Sequence, residues 1–146
     1  MWNAKISSPK ADTSMKAKTL TYEERNSYYG KKRIPGAALY ANIDTSHPLA
    51  FGMKSHLYDL KFGSSAFEPS TSLESVGKYV ENVSRLLASG YASKENLNHL
   101  AGKTFAAVDR IGKGKVIYLL DNTQYRMFWK GPSRMMQNAV MIMPSM

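Results

Sequence analysis

Apolar and polar residues alternate in several short segments of the chain, which is the pattern of half-buried β-strands. Strands are predicted at residues 38–44, 57–62, 104–111 and 115–121. Gly112-Lys113-Gly114 separates the last two, which predicts a tight turn and an antiparallel pair. Residues 45–48 are expected to form a turn, and residues 63–77, which contain Ser, Gly and Pro, are expected to form a loop.

Other segments space their apolar residues by three and four, which is the pattern of amphipathic helices. The best predicted helix covers residues 133–143, with a face made of Met135, Met136, Ala139, Val140 and Met143. Short helices are expected after Thr21 and over residues 93–100, where Thr21 and Ser93 are good N-caps. Residues 76–88 fit a loop leading into one or two helical turns. Short strands mixed with helices predict an α/β or α+β fold.

Composition narrows the classes of protein that fit this chain. Its 146 residues are enough for one ordinary domain, and a hydrophobic fraction of 43% suits a packed core. The chain has no cysteine, which excludes a disulfide scaffold, a thiolate zinc site and a cysteine nucleophile. Cysteine usage alone fits either redox compartment. The sequence has no apolar run long enough to span a bilayer, and Met1 to Met15 lack the apolar core of a signal peptide.

Positive charge is concentrated at the start of the chain. The formal net charge is +9, and residues 1–34 account for +5 of it. Residues 1–19 contain few large apolar side chains, so we expect a flexible basic tail or linker there, followed by one domain over residues 20–146. A basic arm of this kind can also bind phosphate backbones or an anionic surface through counterion release.

Known catalytic motifs are missing from the sequence. The three histidines lack the spacing of a hydrolytic zinc site, and His56 and Asp59 fall on opposite faces of a predicted strand. The sequence contains no Gly-x-Ser-x-Gly element. Gly112 to Lys115 lies between two strands rather than between a strand and a helix, so it does not predict a phosphate-binding loop. The methionines near the carboxy terminus are expected in a core or an interface.

The end of the strongest predicted strand is the best candidate for a ligand site. Asp121 and Asn122 follow that strand, and Arg126 and Trp129 come shortly after. Ligands bind at the carboxyl ends of strands in open α/β sheets, and an arginine beside aromatic rings can hold an anion. His47 is added as a further candidate. The alternative is structural: Asp121 caps the next turn, Arg126 pairs with a carboxylate, and the aromatic rings fill the edge of the core.

Several short motifs follow one another in the order found in a known family. They are Arg33-Ile-Pro-Gly-Ala, Ile43-Asp-Thr-Ser-His-Pro-Leu-Ala-Phe-Gly, Val76-Gly-Lys-Tyr, Ser89-Gly-Tyr, Gly112-Lys-Gly-Lys-Val-Ile-Tyr, Asp121-Asn, Arg126-Met-Phe-Trp and Asn138-Ala-Val. Over residues 20–143 the chain resembles the carboxy-terminal region of bacterial M14-type zinc carboxypeptidases. In that group a glutamine-amidotransferase-like, flavodoxin-like domain follows the peptidase domain.

The resemblance implies a partial flavodoxin-like, class I glutamine-amidotransferase-like sheet with flanking helices, whose remaining parallel strands lie elsewhere in a longer chain. It implies a non-catalytic accessory domain that packs on or supports the peptidase domain, or helps to hold its substrate. No catalytic or zinc-binding residue of the family can be placed on this sequence, so zinc is expected only in the parent peptidase domain. The resemblance also implies a secreted or periplasmic protein, leaves homo-oligomerisation open, and does not favour nucleic acid as a partner.

Two other functions remain open at this point. A free-standing binding module would use the basic arm of residues 1–34 for nucleic acid or an anionic surface, and its binding would depend on salt. A small hydrolase would need a constellation of catalytic residues that the sequence does not display.

Overall fold

The structure is a computed structural model, and it describes residues 4–9, 19–127 and 129–146. The described strands form one sheet. Its strands are β1 (Ile6–Ser7), β2 (Ala37–Ile43), β3 (His56–Lys61), β4 (Ala66–Phe67), β5 (Glu74–Tyr79), β6 (Leu87–Gly90), β7 (Thr104–Ile111) and β8 (Gly114–Leu119).

Within the described ranges, four α-helices accompany the sheet. They are α1 (Tyr22–Gly30), α2 (Val83–Leu86), α3 (Lys94–Leu100) and α4 (Lys130–Met141). Short 3₁₀ turns occur at Pro48–Ala50, Tyr125–Met127 and Met143–Ser145.

The eight strands are ordered β1-β4-β7-β5-β2-β3, with β6 beside β2 and β8 beside β7. Every strand pair is antiparallel. The central strands β2 and β7 each have three neighbours, because two short strands share one of their edges. Strand β3 pairs only with β2, so it lies at an edge of the described sheet.

The sheet confirms the prediction of a mixed α/β protein but not its flavodoxin-like part, because a flavodoxin-like sheet is parallel. The connections explain the difference. Parallel neighbours need a crossover of about a dozen residues or more, whereas β7 and β8 are joined through Gly112 and Lys113 alone. Gly112 takes a positive φ of 61° in this hairpin, as the predicted tight turn requires.

Most other predicted elements are present in the described residues. Strands β2, β3, β7 and β8 match the four predicted strands within two residues at each end. Thr21 caps α1 and exchanges hydrogen bonds with Glu24 in a capping box, and Ser93 caps α3. The helical turn predicted within residues 76–88 is α2, capped by Asn82.

The prediction of a loop over residues 63–77 is only partly confirmed, because two strands interrupt it. Strands β4 and β5 lie there, and β5 continues through Val76 to Tyr79, where a loop leading into helical turns was expected. Gly77 stands in the middle of β5 because the Phe105 ring occupies the space of a side chain, so that a Cβ atom would lie 2.6 Å from its Cζ. Glycine lowers strand propensity, and this long-range contact cannot be read from the local sequence.

Helix α4 starts earlier than predicted, at Lys130, with Pro132 in the first turn, where proline is tolerated. Met135 is fully buried against the core, whereas Met136 and Val140 of the predicted apolar face are exposed. The helix packs on the Pro48–Ala50 turn and on β3. Asn138 Nδ2 donates to the carbonyl oxygens of Leu49 and Phe51, both at 2.9 Å, and so ties the helix to that turn.

The predicted tail over residues 1–19 falls largely outside the described residues. Of the part that is described, Ile6 pairs with Phe67 and Ser7 with Ala66, so β1 adds a short strand to β4. Helix α1 buries none of its residues. The described helices include none that is long and apolar enough to cross a membrane.

Candidate functional site

Strand β3 places two ionisable side chains on the buried face of the sheet. Because side chains alternate along a strand, Asp59 and Lys61 point to the same side as the core residue Leu57. Each is only 1% exposed. Burial of a carboxyl and an ammonium group is costly unless each has partners, so the surroundings of these two groups decide what they do.

Lys61 is paired with Asp121, which lies just beyond β8. Its Nζ donates to both carboxylate oxygens of Asp121, at 2.9 and 3.0 Å, and to the carbonyl oxygen of Ser65 at 2.6 Å. The side chains of this ion pair are 1% and 5% exposed. The three donor hydrogens of the ammonium group therefore all have acceptors, which is the condition under which a buried ion pair is tolerated.

Tyr79, on β5, joins Asp59 to this ion pair. Its hydroxyl oxygen lies 2.7 Å from Asp59 Oδ2 and 3.0 Å from Asp121 Oδ2. The Tyr79 ring is fully buried and packs against Phe105 with 5.2 Å between ring centroids. Burial raises the pKa of Tyr79 well above its usual value, so the phenol keeps its proton. We call Asp59, Lys61, Tyr79 and Asp121 the buried cluster.

A phenol has one hydrogen and cannot donate to two carboxylates at once. The arrangement is satisfied if Asp59 is protonated and donates to the Tyr79 oxygen, while Tyr79 donates to Asp121. Burial, and then the nearby charge of Asp121, raise the pKa of Asp59 to about 8. The buried cluster thus holds one negative charge, on Asp121, and one positive charge, on Lys61. Each of its hydrogen-bond donors faces an acceptor.

The buried cluster is suited to holding strands together rather than to reacting with a ligand. It links β3, β5 and the chain after β8 through side chains almost wholly withdrawn from solvent. A substrate has no access to Lys61 or Asp59 in this structure. A carboxyl with a raised pKa is a common sign of an active site, but structural ion-pair networks perturb pKa values in the same way.

The predicted site residues do not converge on one place. Asp121 belongs to the buried cluster, whereas Asn122 is exposed and accepts a hydrogen bond from the Gln124 backbone N–H at 3.1 Å. The turn is therefore capped by Asn122 instead of Asp121. Arg126 has a positive φ of 49°, and its guanidinium lies 5.3 Å from the centre of the Tyr125 ring.

His47 lies at a different part of the fold and makes no described contact with Asp121. Its Nδ1 accepts a hydrogen bond from the Leu49 N–H at 3.0 Å and caps the 3₁₀ turn that follows. Its Nε2 lies 3.2 Å from a Glu74 carboxylate oxygen, and Arg110 donates to the other oxygen of Glu74 at 2.7 Å. This is the structural turn that the sequence suggested for His47-Pro48.

Trp129, the remaining predicted residue, lines a groove on the outer face of the sheet. Its Nε1 donates to the carbonyl oxygen of Tyr58 at 2.9 Å, at the free edge of β3. The groove has a volume of about 640 Å³ and is mainly apolar. Its lining includes Ala38, Tyr58, Ala88 and Trp129, together with Lys54 and Lys130. We call it the Trp129 groove.

Within the described part of the chain, no three His, Asp or Glu side chains come together in a way that could hold a metal ion. The expectation that zinc belongs to another domain is not tested by this finding.

Sequence reasoning missed Asp59, Lys61 and Tyr79. Alternation in β3 pointed away from the first two, because it makes Tyr58, Leu60 and Phe62 the apolar face and leaves Asp59 and Lys61 on the face expected in solvent. The structure buries the face of Asp59 and Lys61 instead. Tyr79 gave no signal either, since its strand was predicted as a loop.

In comparisons with known proteins, no family model, no curated protein and no solved structure matches the chain.

Proposed function

We propose that the chain is a non-catalytic accessory domain, of the kind that the resemblance to M14-type zinc carboxypeptidases implies, which packs on or supports a peptidase domain. One observation supports the proposal: residues in the motifs that resemble this family make contacts that hold the fold together. Asn138 of one motif binds the backbone of Leu49 and Phe51 in another, and Asp121 neutralises the buried Lys61. A sequence pattern built from such residues specifies a scaffold.

The chemistry of the described residues agrees with a role other than catalysis. The ionisable side chains of the buried cluster are closed to solvent. His47 serves as a helix cap, and Asn122 as a turn cap. The antiparallel sheet does not support the flavodoxin-like part of the resemblance, so the proposal rests on the order of the motifs and the roles of their residues.

A binding experiment tests this function. The chain is mixed with an M14-type zinc carboxypeptidase domain encoded by the same organism, and the mixture is examined by size-exclusion chromatography and thermal unfolding. We expect the two to co-elute and the melting temperature of the peptidase domain to rise, because a partner that binds only the folded state stabilises it. Separate elution with an unchanged melting temperature would contradict the proposal.

The basic arm of residues 1–34 suggests the competing function, which is nucleic-acid binding, and the same purified chain can be used to test it. Arg25, Lys31 and Arg33 are exposed on and after α1. Salt-sensitive binding of the chain to single-stranded DNA, lost on deletion of residues 1–34, would favour a nucleic-acid module instead.

A further inference from the structure

We propose that the Trp129 groove is a binding site for acidic peptide segments in extended conformation. The proposal starts from its position. Ala38 on β2 and Tyr58 on β3 lie on the outer face of the sheet, opposite the core face formed by residues such as Leu39 and Ala41. The small side chains of Ala38 and Ala88 leave room that larger residues would fill.

Aromatic rings form the walls of the groove and are held in place. Trp129 is fixed by its bond to the Tyr58 carbonyl, and the Tyr58 ring rests against Tyr40 with 5.3 Å between centroids. Rings that are already ordered lose little conformational entropy on binding, which favours affinity for apolar side chains. A groove of about 640 Å³ accommodates a few residues of a peptide.

Charge identifies the occupant as acidic. Lys54 and Lys130 line the groove, and none of its lining residues is acidic. Within the described residues, neither lysine takes part in an ion pair with an acidic side chain. A peptide with carboxylates flanking an apolar residue would therefore meet both the rings and the ammonium groups with complementary charge.

The geometry of the edge strand determines how such a peptide lies. In the β2–β3 register, the backbone N–H and C=O groups of Tyr58 point away from β2. The carbonyl oxygen of Tyr58 already accepts a hydrogen bond from Trp129 Nε1. Trp129 thus blocks the addition of a strand along the middle of β3, a common device for protecting a sheet edge. The peptide would lie across the outer face, over Ala38.

A short peptide fits the groove better than a nucleic acid does. Single-stranded nucleic acid needs a succession of cations along its backbone and several free stacking rings. The groove offers two lysines. The Tyr58 ring already packs against Tyr40, and the Trp129 ring is hydrogen-bonded to the Tyr58 backbone. In one respect the site rests on the proposed function: the peptide would be a substrate of the peptidase partner.

The test uses the fluorescence of Trp129 and calorimetric titration. The sequence has two tryptophans, so Trp2→Phe leaves Trp129 as the single reporter. The probes are a blocked Phe-Glu-Asp-Glu peptide, the same peptide with lysine in place of its acidic residues, and a short oligothymidylate. We expect saturable binding of the acidic peptide, weakened by salt, and no binding of the basic peptide.

Charge-reversal variants locate the binding site. The double variant Lys54→Glu, Lys130→Glu should weaken binding of the acidic peptide roughly tenfold, since exposed ion pairs contribute modestly to affinity. Lys113→Glu is the matched control, because Lys113 is an exposed lysine in the β7–β8 turn, outside the groove, and it should bind as the parent does.

Three results would overturn the peptide site. They are the absence of both heat and fluorescence change with the acidic peptide, tighter binding of oligothymidylate than of the peptide, and equal weakening by Lys113→Glu. None of them bears on association with a peptidase domain, which is measured with a different partner, so the two proposals fail separately.

Discussion

Replacement of Asp59 by asparagine should stabilise the protein at neutral pH. Asparagine has the shape of a protonated aspartate, and its amide group can donate to the Tyr79 oxygen as the carboxylic acid does. The side chain is 1% exposed, so wild-type folding at neutral pH requires either a buried second negative charge or the uptake of a proton. Asp59→Asn removes that requirement.

The size of the effect follows from the raised pKa of Asp59, about 8 in the folded protein. An aspartate in the unfolded chain titrates near about 3.9, and each unit of pKa difference corresponds to about 1.4 kcal/mol. Where the folded pKa is raised, the contribution to stability is present below the unfolded pKa and is lost as pH rises towards the folded pKa. Asp59→Asn should thus match wild type near pH 4 and exceed it by roughly 2–4 kcal/mol at pH 7.

Guanidinium unfolding, followed by circular dichroism at several pH values between these limits, measures the difference. Asp44→Asn is the control: Asp44 is exposed, and a hydrogen bond from the Ser46 hydroxyl lowers its pKa, so its replacement should cost a little stability at neutral pH. An Asp59→Asn variant that is less stable than wild type by the same amount at every pH would refute the protonated state of Asp59.

Three further substitutions test the packing, each by the shift in unfolding free energy on guanidinium titration. Lys61→Met leaves Asp121 buried without its cation and should cost roughly 3–5 kcal/mol; a neutral result would mean that Asp121 is solvated. Gly77→Ala drives a methyl group into Phe105 and should cost about 1–3 kcal/mol, whereas no loss would show that the ring can move aside. Asn138→Leu leaves the Leu49 and Phe51 carbonyls without their donor and should cost about 2 kcal/mol; unchanged stability would show that water replaces the amide.

Elements fixed by local chemistry were predictable from the sequence. Alternation identified β2, β3, β7 and β8, and the caps at Thr21 and Ser93 located α1 and α3. Strand β5 was not predictable, because Gly77 lowers local strand propensity and is required by Phe105, a residue far along the chain. The antiparallel arrangement was foreseen only for the β7–β8 hairpin, where a two-residue connection leaves no other choice.

The candidate sites show the same division between local and long-range information. Asp121 stood out at a strand end, but its partners Lys61 and Tyr79 come from strands 60 and 42 residues away in sequence. Trp129 was a candidate for ligand binding, and the groove beside it is formed with β2, β3 and β6, which only the folded sheet brings together. Sequence reasoning thus located individual residues, and the tertiary structure determined their partners.

The accessory role is tested most directly by the coding DNA upstream of the codon for Met1. We expect an in-frame coding sequence there that encodes a zinc-peptidase domain with the H-x-x-E motif. A stop codon followed by a translation start at Met1, with no zinc peptidase encoded alongside, would contradict the accessory role and leave a free-standing binding protein.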